Sequence, residues 1–349
     1  MIASSRDDTR EAIAVAIALL VSIAIGSALM LCVGKAPGHV WLLMIERTLF
    51  SDMYSLGQVL YKATGLILTG LSVSLALDAG LFNIGAEGQV TAGVVACAAI
   101  GAALPAGTPA ILAIPICIAI AALAGGVVGG AIGVMRVRWN AHEVITSIML
   151  NAIVSGVALW LGNELLFQNG TTTGPPIVAA AELPQLGFGG SSANLSLVIA
   201  IAAVVALWWI RARTTWGQAL LAVGRDPAAA RAVGISVGRV QLVAMIGAGA
   251  LAGLAATNFV MGHKHAFEEG LGRGAGLLGI SAALLGRMNP IGIAIASLAL
   301  GFLSSGGLAV SDEIPKELSE MLQGIVVLAV ACSGPLAKRL SRTPKDVPR

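Results

Sequence analysis

Asp78-Ala79-Gly80-Leu81-Phe82-Asn83-Ile84-Gly85-Ala86-Glu87-Gly88-Gln89 is the stretch on which the reading of this chain turns. It separates two long apolar runs, 56–77 and 88–104, so it lies at or inside a lipid boundary. Its glycines permit irregular backbone, which is tolerated at membrane depth only against protein or water. Glu87 is the ionisable group within it. Such a carboxylate beside a span either caps a helix N-terminus and stabilises local packing or stands on a transport path. The sequence leaves both readings open.

The surroundings of this stretch are lipid-soluble. Hydrophobic residues make up 57% and charged residues 11% of the 349 residues, and mean hydropathy is +0.89. Soluble domains carry about 25% charged residues, so most of this chain has too little charge to face water. A helix rises about 1.5 Å per residue, and about 20 residues cross the hydrocarbon core. That ruler predicts ten transmembrane helices near 12–33, 56–77, 88–104, 110–135, 144–163, 195–210, 240–260, 274–287, 290–310 and 318–336. The span at 274–287 has the shortest uncharged core. The expected fold class is an all-α membrane protein, with 1–349 as a single transmembrane domain.

Charge sets the expected orientation, because cytoplasmic loops retain Lys and Arg. With the N-terminus inside, fifteen basic residues fall inside, five outside, and Lys62 lies within a span. This predicts both termini in the cytoplasm. The uncharged run 12–33 is longer than a signal-peptide core and reads as a retained first helix. Met30 and Leu31 before Cys32 do not suit lipidation. The four cysteines, Cys32, Cys97, Cys117 and Cys332, lack paired spacing and read as small buried hydrophobes. The Gly125, Gly129, Gly133 series and the Gly126, Gly130 pair predict close helix packing, since small residues let backbones touch in lipid.

Two polar stretches interrupt the spans. Residues 167–194 form an outside loop without predictable structure. Residues 214–239 hold a short cytoplasmic helix. Asp226 is its N-cap, Pro227 fits the first helical position, Ala230 and its neighbours favour helix, and Gly234 suits the left-handed stop. Two turns are too short to be stable alone in water. The helix therefore either lies on the bilayer or docks into a cytoplasmic partner, with Arg225 and Arg231 flanking it. Among polar residues in spans, Asn151 and Asn258 either bond across helices or face a substrate path. His263, His265, Glu268 and Glu269 match no specific zinc spacing, so no metal or other cofactor is expected. No GxxxxGK[ST] motif, nucleophile triad, paired-carboxylate site or HExxH helix occurs, so neither ATP binding nor enzyme chemistry is indicated. The net charge of +3 gives no reason to expect a nucleic-acid partner.

The run Gly80–Gln89 resembles the signature of ABC-importer permeases of the nucleoside and simple-sugar branch, relatives of the ribose and branched-chain amino acid permeases. Gly224–Ile235, Gly249–Gly253 and Gly279–Pro290 resemble further segments of that family, and the likeness spans roughly 55–335. The resemblance implies a type II-like permease fold in a bacterial inner membrane. It implies alternating access driven by a separate cytoplasmic ATPase, a second permease subunit as heterodimer or homodimer partner, and an extracytoplasmic substrate-binding protein. Arg225, Asp226, Pro227, Ala230, Arg231 and Gly234 would then form the ATPase-coupling segment. Phe82, Asn83, Glu87, Gln89, Asn151 and Asn258 would be candidates for the substrate path. The alternatives are a self-sufficient ion-coupled secondary transporter or channel using Glu87, and a membrane-embedded assembly subunit.

Overall fold

The computed structural model describes residues 17–18, 20–167 and 171–341, with side chains for all of these except 316 and 330–341. The chain is helical nearly throughout. In order come α1 (Leu20–Cys32), α2 (Pro37–Ile45), α3 (Met53–Asp78), α4 (Ala86–Ala103), α5 (Ala110–Trp139), α6 (Glu143–Leu161), α7 (Ser196–Arg213), α8 (Thr215–Arg225), α9 (Pro227–Ala232), α10 (Val237–Gly253), α11 (Ala275–Leu285), α12 (Pro290–Ala309) and α13 (Lys316–Ser341). Short π-helical turns extend α2, α6 and follow α10.

Among the described residues, seven helices are long and apolar enough to cross a membrane, and eight if the bent pair α1–α2 counts as one span. Three of the ten expected spans are not among those seven: 318–336 lies within α13, and the other two differ visibly in form. The run 12–33 begins outside the described residues. Its described part turns by 117° into the next helix, at left-handed Gly34 and ahead of Pro37 in the first helical turn. The run 274–287 becomes α11, a helix of 11 residues. At about 1.5 Å per residue this covers roughly half the hydrocarbon core.

The chain divides into two compact units, Leu56–Gly301 and the pair of segments 1–55 with 302–349. The smaller unit closes around Met30, Val40, Met44, Leu303, Val310, Ile314, Leu318 and Leu322. Lys35 pairs with Glu313 at 2.8 Å and Arg47 with Asp312 at 2.7 Å. Cys32 is exposed at the end of α1 and does not belong to that core, contrary to the expectation of a buried thiol. Cys97 and Cys117 are buried, and nothing is described of the Cys332 side chain.

The larger unit is organised by a glycine seam. Gly125, Gly129 and Gly133 of α5 face α10. A Cβ at Gly129 would lie 3.0 Å from Gly249 Cα, and one at Gly125 would lie 2.8 Å from Gly253 Cα. Gly93 of α4 meets the same Gly253. The backbones of three helices therefore touch, as the spacing predicted, and Gly126 and Gly130 border Ile246 on the flank. Away from this seam the helices present apolar faces outward. Ile145, Ile148, Met149, Ile153 and Trp160 of α6 are exposed, as are Val198, Ile201, Val205, Trp208 and Trp209 of α7. Water would not tolerate such faces; lipid or another apolar subunit would.

The loop at 167–194 has more structure than its composition suggested. Strand β1 (Thr173–Pro176) pairs antiparallel with β2 (Ala266–Glu268). Phe167 stacks on Phe267 with ring centroids 5.5 Å apart. Leu183 donates its N–H to Met261 O at 2.8 Å, and Gln185 bridges to Asn194.

Candidate functional site: the glycine-rich loop and the segment beneath it

The residues 78–89 fold as a tight loop between α3 and α4, turning at left-handed Gly80. Its polar side chains are turned on one another. Asn83 and Gln89 are buried and exchange carboxamide hydrogen bonds at 2.9 and 3.0 Å. Asn83 also donates to Ser72 Oγ at 2.9 Å. Asn151 reaches across from α6, accepting from Gly88 N–H at 2.9 Å and donating to Ile84 O at 3.1 Å. These bonds satisfy loop groups that no helix ladder serves, as buried polar groups require. Phe82 is half-buried at the centre of the loop.

Glu87 caps a helix, and the helix is not the one it belongs to. Its carboxylate accepts from Gly274 N–H at 2.6 Å and from Gly276 N–H at 2.9 Å. Those are the first free amides of α11. The first turns of α4 and α11 back directly onto one another, since a Cβ on Gly276 would lie 2.5 Å from Glu87 Cα. Two helix N-termini thus meet with their positive dipole ends together, and the carboxylate between them offsets the repulsion. At its other end α11 turns through Arg287 and Met288, both left-handed, against α3 and α7. Between these ends Gly279 of α11 packs directly on Thr69 of α3. Beside Glu87 lies a cavity of about 260 Å³, lined among others by Thr91, Ser155, Phe267, Glu269 and Arg273.

At the base of α3 stands an ion pair that sequence reasoning did not single out. Arg211 of α7 pairs with Asp78 at 2.5 Å, and their side chains are only 13% and 10% exposed. Arg211 also donates to Met288 O and to Ser74 Oγ, each at 2.6 Å, while Ser74 donates to Met288 O at 2.7 Å. Left-handed non-glycine residues cost about 1–3 kcal/mol each, and these bonds hold the 286–289 turn in that conformation. Asp78 and Arg211 were each visible in the sequence as charges at span ends. Their pairing was not, because it joins distant helices.

The short helix expected within 214–239 forms. Asp226 accepts from Ala228 N–H at 2.8 Å and Ala229 N–H at 3.1 Å. Pro227 opens α9, Ala230 is buried, and Gly234 ends the helix at φ +87°. Arg225 and Arg231 close the last turns of α8 and α9. The unforeseen element is α8, which Thr214 caps through Gly217 N–H at 3.0 Å. Its end presses on the loop. Gly224 lies so close to Asp78 and Gly80 that a Cβ there would be 2.9 Å from the Asp78 carbonyl carbon. The α8–α9 segment and the glycine-rich loop are therefore in backbone contact.

Asn258 belongs to a different cluster. It donates to Tyr61 O at 2.9 Å and accepts from Asn194 at 3.1 Å and Ser196 Oγ at 3.0 Å. The structure thus brings Asn83, Glu87, Gln89 and Asn151 together around one loop and leaves Asn258 apart from them. His263 packs on Tyr61, Lys264 pairs with Glu268 at 2.6 Å, and Arg273 lies 3.9 Å from Glu269. Among the described residues no group of three or more metal-ligating side chains forms.

Apolar outer faces, seven helices long enough to cross a membrane and a short helix capped from another element fit a polytopic membrane permease. The chain belongs to the family of branched-chain amino acid transport system permease components, whose model matches residues 55–331. It is similar to the guanosine ABC transporter permease protein NupP of Bacillus subtilis, 32% identical over 91% of this chain and 92% of the relative. It is 33% identical to the glucose ABC transporter permease protein TsgB13 of Haloferax volcanii, covering 90% of this chain and 86% of that one. The nucleoside ABC transporter permease protein NupB of Lactococcus lactis is 31% identical, over 93% and 91% of the two chains. No solved structure matches.

Proposed function

We propose that this chain is the transmembrane permease subunit of an ATP-driven importer for nucleosides or related simple sugars, in a bacterial inner membrane. The observation that carries the reading is the backbone contact between Gly224 and the Asp78–Gly80 turn. It gives a force applied to α8–α9 a direct route to the loop that holds Glu87 and α11. The names of the similar proteins, each an ABC permease for a nucleoside or a sugar, support the substrate class. The energy comes from a separate ATPase engaging Arg225, Asp226, Pro227, Ala230, Arg231 and Gly234. A second permease subunit covers part of the exposed apolar surface, and an extracytoplasmic binding protein delivers the cargo.

In this reading the chain crosses the membrane ten times with both ends in the cytoplasm, α11 and the irregular segment before it together making one crossing. Residues expected inside meet one another, as Arg211 does Asp78. Residues expected outside do too, as Thr173 does Glu268. The substrate path runs beside the loop, with Phe82, Glu87 and the adjoining cavity at its edge, while Asn83, Gln89, Asn151 and Asn258 hold its walls. Transport is alternating access between two packings, which an external energy source biases by a few kcal/mol.

The test is reconstitution with a partner ATPase and binding protein. Arg225→Glu with Arg231→Glu is expected to leave the permease folded and abolish transport-linked ATP hydrolysis. Unchanged hydrolysis in that double variant overturns the coupling assignment. Robust uptake by this chain alone under an ion gradient without ATP overturns the importer reading.

A further inference from the structure

Beneath the spans of the larger unit lies a polar groove of about 480 Å³, between the end of α5, the end of α9 and the start of α10. Arg136, Asn140, Arg231, Ser236 and Gln241 supply its polar lining, and every charged side chain that lines it is cationic. Of the two nearby acids, one faces a groove arginine from outside the lining and the other is spent on a helix cap. Glu143 lies 3.6 Å from Arg136 Nε outside the lining, and Asp226 spends its carboxylate on the cap of α9. Two guanidinium groups with carboxamide and hydroxyl donors around one concavity suit a phosphate, which guanidinium groups bind with strong, directional hydrogen bonds.

The rim indicates where that phosphate comes from. Trp139, 69% exposed, stands between Arg138 and the groove residue Asn140. Val233, 76% exposed, ends α9 beside it, and Ile145 is exposed in the first turns of α6. Exposed tryptophan next to arginine at a helix end is the composition of the headgroup level of a bilayer. A freely diffusing phosphate would need no such apolar border. Basic pockets between membrane helices on the cytoplasmic side take anionic lipid headgroups.

We propose that this groove binds the headgroup phosphate of an anionic glycerophospholipid of the cytoplasmic leaflet, between Arg136 and Arg231. The leaflet rests on the orientation given under the proposed function. In the chain free of ATPase the bound lipid ties α9 to α5 and α10, through the same Arg231 that the ATPase is proposed to engage. The groove also touches the glycine-rich loop, because Gln241 donates to Ala79 O at 3.4 Å. Membrane composition therefore sets how firmly the coupling segment is held against the bundle.

The experiment uses the purified full chain in a neutral detergent, with no ATPase or cargo, so that loss of the importer reading would not affect its outcome. Unfolding midpoints are measured against rising dioctanoyl phosphatidylglycerol, dioctanoyl phosphatidylcholine or glycerol 3-phosphate. The phosphatidylglycerol is expected to stabilise saturably, and the other two not. Arg136→Gln and Arg231→Gln should each weaken its apparent affinity about fivefold, the effect of one basic residue at an anionic surface. Arg138→Gln, outside the groove lining, should leave it unchanged. Arg231 is exposed, so its variant tests the site even if Arg136→Gln folds poorly beside Glu143. Equal stabilisation by phosphatidylcholine, or unchanged affinity in Arg231→Gln, overturns the site. Equal stabilisation by glycerol 3-phosphate overturns the lipid as its occupant. A reporter after Arg349 active only on the outer face overturns the leaflet, and is read separately from binding.

Discussion

Replacing Glu87 by Gln separates two meanings of one carboxylate. In the structure its two oxygens accept from Gly274 N–H at 2.6 Å and Gly276 N–H at 2.9 Å. Hydrogen bonds to a charged group contribute about 1.5–3 kcal/mol each, and neutral ones about 1. Glutamine keeps one acceptor at neutral strength and turns an amide N–H toward the other donor. The charge that offsets two helix N-termini is lost as well. Water in the adjoining cavity can reach the freed amides, which places the cost at the lower end, about 2 kcal/mol. That corresponds to roughly thirtyfold faster opening. The assay is hydrogen exchange of the peptide covering 270–285 in the detergent-solubilised chain. The expected result is exchange about thirtyfold faster there, with little change in α5 or α10. Unchanged exchange at 270–285 would falsify the clasp. If transport were also lost in that variant, the carboxylate would be acting by its charge on the path, as an ion-coupled mechanism requires.

Other perturbations test the remaining contacts. Arg211→Ala leaves Asp78 buried without its partner, and breaking such a pair costs about 3–5 kcal/mol; a sharply lower unfolding midpoint is expected, with Ser74→Ala milder. Gly129→Leu drives a side chain into the α10 backbone at Gly249; overpacking of this kind costs at least about 1–3 kcal/mol, and reduced yield of folded protein in detergent measures it. Gly224→Val should separate α8 from the Asp78–Gly80 turn, lowering transport while ATPase binding persists; full transport in a folded variant would contradict the force route. Arg47 holds the Asp312 carboxyl below the usual carboxylate range, and Lys35 does the same for Glu313, both by hydrogen bonding first. Carboxyls depressed in the folded state contribute stability above their unfolded pKa, near 4, and lose it as pH falls through the folded value. Protection across 311–315, taken relative to the intrinsic exchange rate at each pH, should therefore hold at pH 7 and fall only in acid below about pH 4.

Much of this architecture is written locally, and those parts were legible. The Gly125, Gly129, Gly133 spacing is a property of one helix, and it met a partner as expected. Asp226, Pro227 and Gly234 carry the whole logic of α9 within nine positions, and each took its anticipated place. What escaped was long-range. Glu87 could be read as a cap, but the helix it caps lies far along the chain, and no periodicity links the two. Arg211 counted only as a cytoplasmic charge until α3 and α7 came together. The loop at 167–194 looked shapeless because its strand partner follows α10. The run 274–287 read as a short span by hydropathy, which cannot see that the left-handed glycines 270, 272 and 274 hold the chain in a turn up to its first residue, so that the helix runs only from Ala275 to Leu285.

The glycine seam has a mechanical consequence. Where α4, α5 and α10 meet backbone to backbone there are no long side chains to swing, so relative sliding has no soft coordinate to follow. These three helices form a keel. The Glu87 clasp is fastened at one end of it, in the first turn of α4, and the Gly224 contact bears on the loop that leads into that turn. A keel that cannot flex turns a small push at one end into displacement at the other with little loss on the way.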